Sequence, residues 1–277
     1  MSAGKEYRRV VLAVARMNLD VGTREFVRKT DEITQHLSNR VSALLLSPPV
    51  LPLYETLIEK RRYSNYRSNL KTLVSRLSSI SRRRGITLVL TPVLRRAGNK
   101  LYLSNVLIPS VGPPLFRGKS VIPVSSKVSG SPNIEMITIE NVNVCFAILN
   151  DLEVPEVMRA YTFLGGDAIV AVSPPIITRR RPEMTLMLAA ARANENDIPI
   201  IGIGGYAENG SIQQPTFIIE RDGRVAEVAK DAEPDIFEVE VPSIGRKAQP
   251  DVARKYLKFV KDYIVKNYEV LKKYLIF

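Results

Sequence analysis

Residues 147–156 read AILNDLEVPE. They close the run IENVNVCFAIL (139–149), whose density of apolar and β-branched residues predicts a buried strand. A polar pair, Asn150 and Asp151, follows the strand, and Pro155-Glu156 opens a helix expected near Val154 to Leu164, proline being at home in a first helical turn. Strand ends of this kind are where open α/β sheets collect ligands and reactive groups. The residue at the tip is Leu149, a hydrocarbon with no lone pair to offer.

Working outward, the chain alternates β-like runs with helical spacing. RRVVLAVARMN (8–18) reads as a strand, and Phe26, Thr30, Ile33, Leu37 and Val41 recur at helical intervals after it. SALLLS (42–47) is a second buried strand, followed by a break with three prolines. Tyr66, Leu70, Leu73, Leu77 and Ile80 then mark one face of a long helix that stops at Gly85. ITLVLTPVL and KLYLSNVLIPS flank a turn at Gly98 and Asn99, and Gly112 to Asn133 reads as loop with one short strand. DAIVAVS, a helix through RPEMTLMLAAARANEN, IPIIGIGG, the hairpin TFIIERDGRVAEVA and IFEVEVP complete the pattern. Strands paired between helices imply an α/β protein with two mixed sheets sandwiched by helices. Residues 1–250 form one domain in this reading, and residues 251–277 a basic amphipathic helix.

Composition narrows the chemistry. Cys145 is the only cysteine and His36 the only histidine among 277 residues, so neither a disulfide nor a cysteine–histidine metal site can be built within the chain. No cofactor or metal is expected. The apolar run near the N-terminus ends at Arg16, too short for a signal peptide, and no window reaches the roughly 20 apolar residues of a membrane span. A soluble cytoplasmic protein is expected. The formal charge is +12, and no Asp or Glu lies between Lys60 and Ile134. All the excess charge sits in that central segment.

Several of these words resemble the nitrilase, or carbon-nitrogen hydrolase, superfamily. ILNDLEVPE is similar to its I-C-Y-D-x-x-F-P-E motif through Ile148, Asp151, Pro155 and Glu156. LLLSPPV resembles the strand ending F-P-E, FRGKSVIP the Y-R-K-x-H-L segment, GGDAIVAVSPP the G-A-D-x-x-x-x-P-S segment and ARANEND the A-R-A-x-E-N word. FIIERDGRVAEVA resembles the S-x-I-x-D-P-x-G-x-V hairpin, and the register holds from about Arg8 to Val241. The resemblance implies a four-layer α-β-β-α sandwich and a Glu, Lys and Cys triad that cleaves amides or nitriles. Carried over by position, the glutamate falls on Pro49, the lysine on Lys119 and the cysteine on Leu149. Proline cannot shuttle a proton and leucine cannot attack a carbonyl, so the covalent route is closed at both steps. A second glutamate that the family places after the lysine is missing too, nothing acidic lying between Lys119 and Asn133.

The expectation is therefore a catalytically inactive binding or scaffold protein, with no catalytic residues at the triad positions. Lys119 with Arg179, Arg180 and Arg181 would bind a ligand or anion through charge-assisted hydrogen bonds. Arg61, Arg62, Arg67, Lys71, Arg76, Arg82, Arg83 and Arg84, interleaved with Tyr63 and Tyr66, are candidate contacts for nucleic acid or another polyanion within segment 60–134. The apolar face of the C-terminal helix, Leu257, Val260, Ile264, Leu271 and Leu275, is expected to pack on its own sheet or on another copy, giving a homo-oligomer. The alternative is an amide hydrolase with a non-standard set, Lys119 with Asp151 or Cys145, or an inactive subunit beside an active relative. Cys145 would lie on the face of Leu149 but about 13 Å deeper. Glu55 is a displaced candidate for the base, and His36 reads as a surface residue.

Overall fold

The structure is a computed structural model that describes residues 9–49, 63–123, 128–131, 134–172, 182–206, 213–229 and 235–271. Along the chain come β1 (Arg9–Ala15), β2 (Met17–Asn18), α1 (Thr23–His36), β3 (Val41–Leu46) and α2 (Tyr63–Arg84). The hairpin β4 (Thr87–Ala97) and β5 (Lys100–Ile108) precedes β6 (Leu115–Lys119), β7 (Met136–Ile139) and β8 (Val142–Ile148). A 3-10 turn (Leu149–Glu153) leads to α3 (Pro155–Phe163), β9 (Ala168–Val172), α4 (Pro182–Asn196) and β10 (Ile200–Ile203). Then follow β11 (Gly205–Tyr206), β12 (Gln213–Gln214), β13 (Thr216–Ile219), β14 (Val225–Ala229), β15 (Ile236–Pro242) and α5 (Pro250–Phe259). A π-helical turn (Val260–Val265) joins α5 to α6 (Lys266–Leu271).

Two six-stranded mixed sheets result, ordered β15-β1-β3-β4-β5-β6 and β14-β13-β10-β9-β8-β7. β1, β3 and the first half of β4 pair in parallel, as do β8, β9 and β10, and these strands are apolar on both faces because each sheet is covered twice. Alternation along β8 shows the layers. Val144, Phe146 and Ile148 enter the core shared with Leu12, Val14, Leu44 and Leu88 of the first sheet. Cys145 and Ala147 face the other way, among Met158 and Tyr161 of α3 and Ala189 and Ala193 of α4. With α1 and α2 packed on the first sheet through Phe26, Leu70 and Leu77, the arrangement is the α-β-β-α sandwich.

A small third sheet orients this sandwich. β2 continues β1, β11 continues β10, and β2 pairs with β11 in parallel, Met17 opposite Gly205. The C-terminal ends of the parallel strands of both large sheets therefore lie at one end of the molecule. Ser47 to Pro49 and the turn that starts at Leu149 follow strands that finish there, and Lys119 is the last residue of β6 at the adjoining edge.

Three expectations about elements are corrected. Val41 opens β3 instead of closing α1, since the helix ends at His36 and the chain turns through Ser38, whose carbonyl accepts the Val41 N–H at 3.1 Å. The run 139–149 is not one strand: Glu140 and Asn141 take positive φ (47° and 75°) and fold it into the β7–β8 hairpin. Arg16 interrupts the first strand, splitting it into β1 and β2. The C-terminal helix packs on its own chain: Ala253, Val260 and Ile264 are buried, and Phe163 stacks on Tyr256 at 5.5 Å. Among the described residues no helix is long and apolar enough to cross a membrane.

Candidate functional site

The last two residues of β6 set the site. Gly118 takes φ +65°, a conformation that a side chain disfavours, and a Cβ there would lie 2.8 Å from Asn105 Nδ2. This residue is the extra one in a bulge, because Ser104 pairs with Lys119 while Asn105 already pairs with Arg117. Each polar group around it is engaged. The Gly118 N–H donates to Glu135 Oε2 at 2.9 Å, Ser104 Oγ donates to the Gly118 carbonyl at 2.5 Å, and Asn105 Nδ2 donates to the Arg117 carbonyl at 3.1 Å. Asn105 is itself held by the Thr91 hydroxyl at 2.6 Å.

Lys119 emerges half-buried from this bulge, with its Nζ 4.8 Å from the centroid of the Tyr102 ring. The aromatic face offers the ammonium a partner without neutralising it. Beyond Lys119 the chain is pinned again. Ser120 N–H donates to the Leu103 carbonyl at 2.9 Å, and Val121 and Ile122 N–H both donate to Asp151 Oδ1, at 2.8 and 2.7 Å. The other oxygen, Asp151 Oδ2, accepts the Ile148 N–H at 3.1 Å. One carboxylate thus ties the end of β8 to the turn after Lys119. Asp151 is fully buried, which pushes its carboxyl up to about 7 against the pull of the three N–H donors. The turn it belongs to is anchored from α4, where Arg192 donates to the Leu152 and Glu153 carbonyls at 3.2 and 3.3 Å.

Cys145 does not share this place. Its thiol is buried in the helix-facing core, and a Cβ on Gly166 would lie 2.6 Å from Sγ. Burial first, and then the charge of Asp167, pushes the thiol well above its ordinary range, so it holds little thiolate at neutral pH. Pro49 is buried beyond β3. Leu149 is the first residue of the 3-10 turn. Arg179, Arg180 and Arg181, like Glu55, Arg61 and Arg62, lie outside the described residues.

On α2, Arg67, Lys71, Arg76 and Arg82 are exposed, while Arg83 and Arg84 both reach Asp31 Oδ1, at 2.7 and 3.4 Å. Tyr63 and Tyr66, at the start of α2, are both engaged within the chain. Tyr66 is buried and its hydroxyl accepts the Leu94 N–H, and the Tyr63 hydroxyl accepts the Arg96 N–H while its ring lies 4.8 Å from the Arg96 guanidinium. His36 is exposed.

Sequence reasoning missed Glu135, Ser104 and Asn105. Nothing acidic lies between Lys119 and Asn133, and Glu135, just beyond that stretch and immediately before β7, reaches back to the Gly118 N–H. Gly118 itself was the available signal, a glycine before the lysine where a bulge needs one.

The chain matches the carbon-nitrogen hydrolase family over residues 13–247. Among solved structures it is similar to an amidase from Nesterenkonia sp., at 17% identity and TM-score 0.70 over 89% of this chain and 96% of that one. It is also similar to a carbon-nitrogen hydrolase from Helicobacter pylori G27, at 14% identity and TM-score 0.68 over 95% and 98% of the two chains. Another structure of the Nesterenkonia enzyme, 17% identical with TM-score 0.68 over 96% and 97%, shows the acetamide moiety of fluoroacetamide added covalently at its active-site cysteine. No curated protein matches the chain.

These findings overturn the expectation of a catalytically inactive scaffold. The fold it shares is that of amidases, and a cysteine, Cys145, remains in its core. The hydrocarbon at position 149 removes one route to hydrolysis. It does not remove the lysine or the architecture that holds it.

Proposed function

The chain belongs to the carbon-nitrogen hydrolase family, and from that membership we propose that it hydrolyses amides with a catalytic set other than Glu, Lys and Cys. The observation that carries this reading is the fixation of Lys119. Its backbone is held between a bulge on one side and a buried carboxylate on the other, its ammonium lies over the Tyr102 ring, and pre-organised charge is what stabilises an oxyanion. Without a nucleophile at the strand tip, water attacks the carbonyl carbon directly. The C–N bond of the resulting tetrahedral species breaks, its oxyanion having been balanced by the Lys119 ammonium. The proton leaving the water passes to a carboxylate and returns to the departing amine.

Glu135 suits that proton transfer. It is exposed to water and held on the Gly118 N–H, one residue before Lys119 in the chain. Asp151 is fully buried with both oxygens engaged, so it holds the site together and does not meet water. Cys145, buried on the helix side, packs. The test is release of ammonia from small aliphatic and aromatic amides by the unaltered protein. Lys119→Ala should lower kcat by about 10²–10³-fold, the range for losing an oxyanion donor. Glu135→Gln should lower it by about 10²-fold or more, and Cys145→Ala should leave it in place. Activity undiminished by Lys119→Ala, or lost in a folded Cys145→Ala protein, would defeat this set.

A further inference from the structure

We infer that Asp151 is a positioning residue for Lys119: its carboxylate, bridging the end of β8 to the turn after β6, sets where the lysine stands relative to the strand tip. The geometry is that of a clamp. Oδ1 takes two successive N–H groups, Val121 at 2.8 Å and Ile122 at 2.7 Å, which begin two residues after Lys119. Oδ2 takes the Ile148 N–H at 3.1 Å, immediately before Leu149. Val121 and Ile122 follow β6, the edge strand of one large sheet, and β8 belongs to the other, so the carboxylate ties the chain leaving the first sheet to the end of a strand in the second. Within the first sheet, the N–H of Ser120 bonds to Leu103 and its carbonyl to Ser131.

A purely packing role would be filled more cheaply by a hydrocarbon. Burying a carboxylate is costly unless its lone pairs are met by donors, and here three backbone donors from two segments converge on it. Charged and titratable neighbours do not compete for it. Tyr161 of α3 donates its hydroxyl to the Phe146 carbonyl at 2.7 Å, Arg192 of α4 is spent on the Leu152 and Glu153 carbonyls and on Glu195, and Cys145 lies farther back along β8. The carboxylate is left to the backbone. Asparagine keeps the shape, but it has only one acceptor oxygen and turns an N–H₂ group either toward Ile148 or toward Val121 and Ile122.

The catalytic half of this inference rests on the amide hydrolase reading; the clamp itself does not. Two arms separate them. In the first, amide exchange is followed residue by residue in the folded unaltered protein and in Asp151→Asn. Faster exchange at Val121, Ile122 or Ile148, with protection unchanged in β1 and β3, is the expected result, and unchanged exchange at all three overturns the clamp. In the second, Asp151→Asn, Lys119→Ala and the double variant are compared for kcat. Misplacing the lysine should cost about 10²-fold in the presence of Lys119 and little once Lys119 is gone, because the two residues act as one unit. Costs that simply multiply would overturn the positioning role. If the unaltered protein cleaves no amide, the proposed function fails and the exchange arm still decides the clamp. Should Asp151→Asn not fold, Asp151→Glu replaces it in both arms with the same expected signs.

Discussion

At position 118 a single hydrogen atom decides where a lysine stands. Gly118→Ala would force a Cβ into a φ of +65° and against Asn105 Nδ2, at about 1–2 kcal/mol for the backbone alone. The variant should be less stable by at least that amount in denaturant titration and should lose activity with it; wild-type stability would show that the bulge is soft. Asp151 gives a prediction about pH. Its folded-state carboxyl, raised to about 7, lies above the ordinary value near 3.9. Between those values the folded protein holds a proton that the unfolded chain has lost. This group's contribution is therefore present at acid pH and is lost as pH rises from about 4 to about 7. Replacing Asp151 with Asn should flatten the stability profile in that window, as measured by urea unfolding at pH 5 and pH 8. At this scale the sequence was half legible. Lys119 and Asp151 could be singled out because they sit inside recognisable words, whereas Glu135 could not, since its partner is a backbone N–H that no side-chain pattern announces.

Elements were read more easily than their ends. The apolar spacing of α2 predicts its buried face, and Tyr66, Leu70, Leu73, Leu77 and Ile80 are all buried. Leu77, with no exposed surface, marks the centre of that contact, and Leu77→Ala should cost about 2–5 kcal/mol. A thermal melt unchanged by it would mean that α2 contributes little to the fold. What misled was continuity. The largely apolar run from 139 to 149 hides a two-residue turn, because Glu140 and Asn141 bring no glycine to mark it and Asn tolerates positive φ. Charge on α2 was legible only as position: the pattern shows where the arginines lie, and the structure adds that Arg83 and Arg84 both reach Asp31 and that Tyr66, at the other end of the helix, is buried.

For the molecule as a whole, the six words that resemble one family are far apart in sequence, yet the fold gathers three of them at one end. The parallel strands of both sheets finish there, and β2 with β11 ties the sheets together. The C-terminal segment matters to this assembly by covering the second sheet's helices. Val260 and Ile264 belong to its apolar core, at about 1.5–3 kcal/mol each. A chain ending at residue 249 should unfold at lower temperature. A melting temperature equal to that of the full chain would place the segment outside the folding unit. The architecture was legible because strand and helix periods survive wide sequence change. The chemistry was not, because it turned on what replaces a missing thiol.

The most direct measurement is therefore ammonia release from an amide panel by the unaltered protein, by Lys119→Ala and by Cys145→Ala, each first shown to be folded. Comparable hydrolysis by the first and third, and a kcat lower by about 10²-fold or more in the second, is the predicted result. Hydrolysis that vanishes with the thiol and persists without the lysine would contradict it.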